Sequence, residues 1–311
     1  MSLKRPGGYR ARASAAKKVI LQRVLFIGMI VTILALMLTL GQNIGNRGGI
    51  ERRDIRESFE SGDFYSSYRY SRELLEEDPL NLFLLSVHGF SAYQLAVAQI
   101  NNFETLSFLD ESIWSLRKAM LVNRNLPEVY YVLGKAYYHK GSSYADLAIL
   151  YLEKARDASF MAADIPEYLG LSYASIGDYR SSIEAFALAL NEDNSHSDML
   201  LLTIARSYLA LEEINSARAY LVRCINVSRD SNIVNTARLL LAGLIFNEGD
   251  YERAEAEYIA IIEETGDNAE AFFQLGEIYL SQGDTTRARA EWRRALRVDP
   301  AYRPARNRLN L

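Results

Sequence analysis

"AEAFFQLGEIYLSQGDTTRARAEWRRALRVDP", Ala269 to Pro300, decides the fold. Phe272, Leu275, Gly276 and Tyr279 follow one another at intervals of three, one and three, which places them on one side of a helix. Gly283 permits a tight turn. Ala288, Trp292, Ala295 and Leu296 then mark one face of a second helix, and Pro300 stops it. Gly276 and Ala288 are small where two helices come close, and Tyr279 and Trp292 fill the space between. Arg287, Arg289, Arg293, Arg294 and Arg297 take the remaining positions. What looks like a basic arm for nucleic acid therefore reads as the solvated side of a packed helix.

The same signature recurs upstream. "SGDFYSSY" (61–68), "IGDYRSSI" (176–183), "EGDYERAE" (248–255) and "QGDTTRAR" (282–289) resemble one another, and Gly249 and Gly283 are 34 residues apart. This spacing, inside a helix–turn–helix pattern, resembles the tetratricopeptide repeat (TPR). Units start near Gly48, Leu82, Pro127, Ala163, Asp198, Asn235 and Ala269. The Pro127 unit keeps Leu133, Gly134, Tyr137 and Gly141, then slips by two residues before Ala148 and Leu152. The Leu82 unit is stretched by about eleven residues over the family period. Residues 81–126 are therefore an irregular, extended repeat or an insertion. Ala301–Leu311 reads as the extra helix that caps such arrays. The fold expected is all-α: a TPR-like solenoid of about six to seven helix pairs over residues 50–311, with a C-terminal capping helix.

Ahead of the repeats the composition changes. Residues 1–23 carry seven basic side chains and no acidic one, whereas the rest holds 28 basic against 39 acidic. "VLFIGMIVTILALMLTLG", Val24–Gly41, carries no charge, and about 20 apolar residues suffice to span a bilayer. We read 1–18 as a basic cytoplasmic tail, 19–41 as an N-terminal transmembrane signal anchor and 42–49 as a linker. The excess of positive charge before the span places the N-terminus in the cytoplasm and the repeats outside it, in the periplasm of a bacterium with two membranes. A cleaved signal peptide fits less well, because Thr39-Leu40-Gly41 is a poor processing site.

No phosphate-binding loop, dinucleotide fingerprint or HExxH sequence occurs. His88, His139 and His196 are scattered, which suggests helix-surface or turn positions. Cys224 stands at a packing position and suggests a buried structural thiol. These features point away from an enzyme, and no cofactor, metal, nucleic acid or small-molecule substrate is expected. The resemblance implies protein binding along the first helices of successive pairs. Its usual groove positions correspond here to Phe83, Phe90, Tyr93, Tyr131, Lys135, Tyr138 and His139, then Arg206, Phe246, Asn247, Phe273 and Glu277. The Lys/Asn/Arg clamp of chaperone-binding members is not reproduced, so an apolar segment or a protein surface is the expected ligand. A second candidate surface is the basic end, Arg293, Arg294, Arg297, Arg303, Arg306 and Arg308, suited to an acidic protein surface. The resemblance thus implies a scaffold for other proteins of a membrane-associated complex, such as an envelope assembly or the periplasmic collar of a flagellar motor. A chaperone-like or secretion accessory factor that holds exported clients is the alternative, and oligomerisation stays open.

Overall fold

The computed structural model describes residues 50–98, 102–191 and 198–311. The basic tail, the apolar segment 19–41 and the linker 42–49 lie outside the described residues, as does His196. Among the described residues no helix is long and apolar enough to cross a membrane. Fifteen α-helices and a short 3-10 turn make up the described residues, in TPR-like pairs, as an all-α solenoid. They form two compact units that divide at Ser181/Ser182.

Unit 1 contains α1 (Arg52–Glu60), α2 (Phe64–Glu77), α3 (Leu82–Ala98), α4 (Asn102–Val122), α5 (Pro127–Lys140), α6 (Ala145–Asp157) and α7 (Ile165–Ser175). Each helix packs on the next, and α3–α5 and α5–α7 contacts join the first helices of successive pairs. The stretched repeat is a pair of long helices, α3 of 17 residues and α4 of 21. α3 is apolar on nearly every side, as a helix enclosed by α2, α4 and α5 must be. Small residues allow this crowding. A Cβ on Gly89 would lie 2.5 Å from Leu116 Cγ, and one on Gly134 would lie 2.5 Å from Leu152 Cγ. The two-residue slip after Gly141 is the 3-10 turn Ser142–Tyr144, which delays α6 until Ala145.

α8 (Tyr179–Asn191) begins at the division between the units. Unit 2 continues with α9 (Asp198–Ala210), α10 (Ile214–Val227), α11 (Ser231–Asn247), α12 (Tyr251–Thr265), α13 (Ala269–Ser281), α14 (Thr285–Val298) and α15 (Arg303–Leu309). α11 starts at Ser231, four residues before the position expected from the repeat spacing, because the Asp230 side chain caps the Asn232 N–H. Cys224 is buried in the core formed with Leu201, Leu221 and Ala237. α15 closes the array, with Ala305 and Leu309 seated on Trp292.

The Gly-Asp pairs have a physical reason that the glycine alone does not supply. Gly62, Gly177, Gly249 and Gly283 adopt φ of +82, +81, +81 and +84°, a region that costs a side chain energy. The following aspartate caps the next helix: Asp63, Asp178, Asp250 and Asp284 accept the N–H of Ser66, Ser181, Arg253 and Arg287 at 2.9–3.2 Å. Such a cap satisfies one of the N–H groups that the first helical turn otherwise leaves unpaired. Where the sequence has Glu212-Glu213 instead, Glu212 adopts φ +60° and Glu213 makes no side-chain cap.

Candidate functional site

Three helices of unit 1 converge on Lys135. Tyr131, Lys135, Tyr138 and His139 follow one another on α5 at helical spacing, so they share a face. Asp164, the residue that begins α7, gives up the usual capping bond to its own helix. Its carboxylate instead accepts Lys135 Nζ at 2.7 Å and Tyr131 Oη at 2.8 Å, and Lys135 also donates to Tyr131 Oη at 3.0 Å. The rings of Tyr168, Tyr131 and Tyr93 surround the ammonium, with centroids at 4.6, 4.9 and 5.9 Å. Burial and the neighbouring Asp164 carboxylate raise the pKa of both Tyr131 and Tyr168. Lys135 is thus consumed inside the protein and is not free to grip a partner's carboxylate.

The outer edge of this cluster is aromatic and neutral. Tyr138 meets Tyr168 edge-on at 5.0 Å, and the His139 ring lies 5.8 Å from Tyr168. His139 is exposed as a residue, yet burial of its ring among its aromatic neighbours and then the Lys135 ammonium depress its pKa to about 4. An open cleft of about 330 Å³ follows, lined by Tyr138, His139, Gly141, Ser142, Ala145 and Ser175. An aromatic or aliphatic side chain could enter it, with neutral His139, the Tyr138 phenol and the Ser142 and Ser175 hydroxyls beside it for hydrogen bonding.

A second polar cluster is internal. His88 stacks on Tyr68 at 4.5 Å, its Nδ1 lies 3.2 Å from both Ser71 Oγ and the Tyr68 carbonyl, and its Nε2 lies 3.3 Å from Glu111 Oε2. Tyr68 Oη donates to the same Glu111 oxygen at 2.6 Å. The serine–histidine–glutamate sequence superficially resembles a hydrolytic triad. Ser71 is fully buried, however, and its hydroxyl donates to the Ser67 carbonyl at 2.7 Å, so it meets no substrate. His88 therefore departs from the surface position expected of the histidines, because its ring spans three polar groups between α2, α3 and α4.

Burial holds the pKa of His88 below its ordinary value despite Glu111. Its unfolded value is about 6.5. Below that pH the unfolded chain takes up a proton that the folded chain resists, so stability falls with pH. His139 acts in the same direction, down to about 4. We expect urea unfolding of unit 1 to occur at lower denaturant at pH 5 than at pH 7. His88→Gln/His139→Gln should flatten that difference; an unchanged pH slope would assign it to carboxylates instead.

A model of the tetratricopeptide repeat-like domain matches residues 151–309, just over half of the chain. The chain belongs to the tetratricopeptide repeat-like family. No curated protein matches it at a significant level. Among solved structures, the C-terminal part of a TPR repeat-containing protein from Cytophaga hutchinsonii is 16% identical, with a TM-score of 0.60, over 84% of this chain and 100% of that one. The pilF protein of Pseudomonas aeruginosa is 15% identical, with a TM-score of 0.53, over 71% of this chain and 96% of that one. At these identities the likeness concerns the fold alone. TPR domains bind protein partners, and the family is one of scaffolds that are typically non-enzymatic.

Within the TPR pairs the structure separates the expected groove residues. Phe83, Phe90, Tyr93 and Tyr131 are interior, between 1% and 5% exposed, and do not line an open surface. Phe83, Phe90 and Tyr93 are covered because α3 is enclosed by α2, α4 and α5, with Arg52 also over the Phe83 ring, and Tyr131 is covered by Phe160 and Asp164. Lys135 is tied to Asp164. Tyr138 and His139 remain available at the cleft. In unit 2, Arg206 and Asn247 are exposed and Phe246 packs on Tyr251 at 5.5 Å. Phe273 and Glu277 are taken by the end of the array: Phe273 meets Tyr302 at 5.8 Å, and Arg308 Nε donates to Glu277 at 2.9 Å. At the basic end Arg294 also has an internal partner, Glu291 at 3.0 Å. Arg293, Arg297, Arg303 and Arg306 are exposed and form no ion pair among the described residues. Of the acidic residues of α12 and its preceding turn, Glu248 pairs upstream with Arg218 and Glu264 with Arg238, while Asp250 pairs with Arg253 and Glu255 accepts from Tyr279.

Asp164 and Tyr168 were not among the expected site residues. Asp164 before Ile165-Pro166 does read as a helix start. Its bond to Lys135, 29 residues earlier, has no counterpart in local sequence.

Proposed function

We propose that this chain is a non-enzymatic interaction scaffold, anchored in the cytoplasmic membrane by residues 19–41, with its repeats on the outer face organising a multiprotein assembly. In this reading residues 1–18 are the cytoplasmic tail, 42–49 the linker and 50–311 the solenoid. The observation that carries the binding reading is the cleft edged by Tyr138 and His139, presented on a braced helix face. Lys135, Asp164 and Tyr131 hold that face in place, which lowers the entropy lost when a partner docks. The uncharged run Val24–Gly41 after seven basic residues supports the topology.

One experiment examines both halves. Full-length chain in intact cells is treated with a crosslinker that does not cross the cytoplasmic membrane, and captured proteins are quantified. A small set of partners at fixed stoichiometry is expected, lost in Tyr138→Asp/His139→Glu while the fold persists. Absence of any crosslink would place the repeats on the other side. Many substoichiometric clients would instead favour a chaperone-like factor. Tyr131 is unsuitable as the probe, because a charge there would enter the interior.

A further inference from the structure

α4 is longer than its neighbours, and it presents two different faces. Leu109, Ile113, Leu116 and Ala119 are buried. On the opposite side Phe103, Leu106, Trp114 and Leu121 are exposed, by 80, 44, 56 and 79%, and the Lys118 ammonium lies over one face of the Trp114 ring, 3.7 Å from its centre. Asp110 and Arg117 stand among them; successive members of the row are three or four residues apart and so lie along one side of the helix. Phe103 to Leu121 spans about 27 Å at 1.5 Å per residue. An apolar row of this length, with a tryptophan near its middle, has the composition of an interface core.

We propose that this face is a homodimer interface, in which two copies of the chain pack α4 against α4 in antiparallel orientation. The charges select the occupant. Along the face the acid precedes the base: Asp110 lies toward the N-terminal half and Arg117 toward the C-terminal half. A two-fold axis perpendicular to the helix, crossing between Ile113 and Trp114, sets Asp110 of each copy opposite Arg117 of the other. It also brings the Phe103–Leu106 end of one helix over the Leu121 end of its mate. A parallel pair would instead set like charges opposite each other. Asp110 already accepts Lys140 on one side, yet its side chain is 60% exposed and retains an oxygen for a second donor. Arg117 forms no ion pair among the described residues. An anionic lipid surface would meet the Asp110 carboxylate in the middle of the face. The chain's own uncharged run 24–41 would leave Arg117 without a partner and offer nothing to the second oxygen of Asp110. A second copy satisfies both, and a closed two-fold contact of this kind is the commonest oligomer geometry.

The test uses the full chain in detergent, with mass measured by density-matched sedimentation and folding checked by circular dichroism. Two chains per particle are expected at micromolar concentration. Arg117→Asp should weaken the dimer by about tenfold or more, since it sets like charges opposite each other. Adding Asp110→Arg to the same chain exchanges the two charges and should restore dimerisation. Trp114→Asp, at an exposed position, should also yield monomers. A wild-type monomer at 100-fold higher concentration would overturn the proposal. So would a dimer insensitive to Arg117→Asp, or failure of the exchanged pair to recover. If Arg117→Asp chiefly reduces binding to vesicles containing anionic lipid, and the exchanged pair does not recover, the face serves a membrane surface instead.

Discussion

Trp292→Ala is expected to lower the stability of unit 2 by about 3–5 kcal/mol, the range for truncating a large buried side chain in a packed core. Trp292 is only 4% exposed and forms a core with Ala288, Ala295, Ala305 and Leu309. Its fit beneath α13 is tight: a Cβ on Gly276 would lie 2.4 Å from Trp292 Nε1 and 3.0 Å from the Ala288 carbonyl oxygen. Neighbouring backbone cannot collapse into the space left by an indole without moving α13, so much of the cavity persists. The seven-residue α15 rests on the same ring and is too short to hold its shape alone. Amide exchange across α13–α15 should therefore accelerate more than exchange in unit 1. Because the chain has two compact units, unfolding is best followed in each unit separately. A loss under 1 kcal/mol would show that Trp292 is not what seats the terminal pair and its cap.

Asp164→Ala is expected to destabilise unit 1 by about 2–3 kcal/mol, somewhat below the 3–5 kcal/mol for breaking a fully buried pair, because some solvent reaches the site. The Lys135 and Asp164 side chains are 12% and 19% exposed. Removing the carboxylate leaves an ammonium among three phenol rings and takes the acceptor from Tyr131. Asp164→Asn separates the two effects: it keeps an oxygen for Tyr131 and removes the charge, so a smaller loss of about 1–2 kcal/mol is expected. Chemical denaturation of both variants provides the comparison. Asp164→Ala within 0.5 kcal/mol of the parent would mean that Lys135 finds water instead, and the bracing of the Tyr138–His139 face would have to be abandoned.

The repeat was legible because its determinants are local. Gly283 and Asp284 act within a single turn, and the small Gly276 and Ala288 face each other across that turn. Pro127 begins α5, where the missing N–H costs nothing. The slip after Gly141 was visible as a change in spacing, although the 3-10 turn that absorbs it was not. The apolar residues of α3 misled for a definite reason, and those of α4 gave no reading. α3 is apolar all round, so periodicity gives Phe83, Phe90 and Tyr93 no preferred side. α4 carries apolar residues on both its buried and exposed faces, so sequence pattern does not separate Leu116 from Leu121.

The amino-acid sequence by itself determined the helix pairs, their turns and the presence of a cap, because each depends on residues within about one repeat length of each other. It also placed the uncharged run beside the basic tail. Only the tertiary structure decided which aromatic residues are walls and which are surface. That outcome depends on how many helices surround each position, and on pairings such as Lys135 with Asp164 or His88 with Glu111, which no local pattern encodes. The candidate surface of the protein changed accordingly: Phe83, Phe90, Tyr93 and Tyr131 left it, whereas the Tyr138–His139 cleft, the exposed Arg206 and Asn247, the arginines at the end of the array and the outer face of α4 compose it.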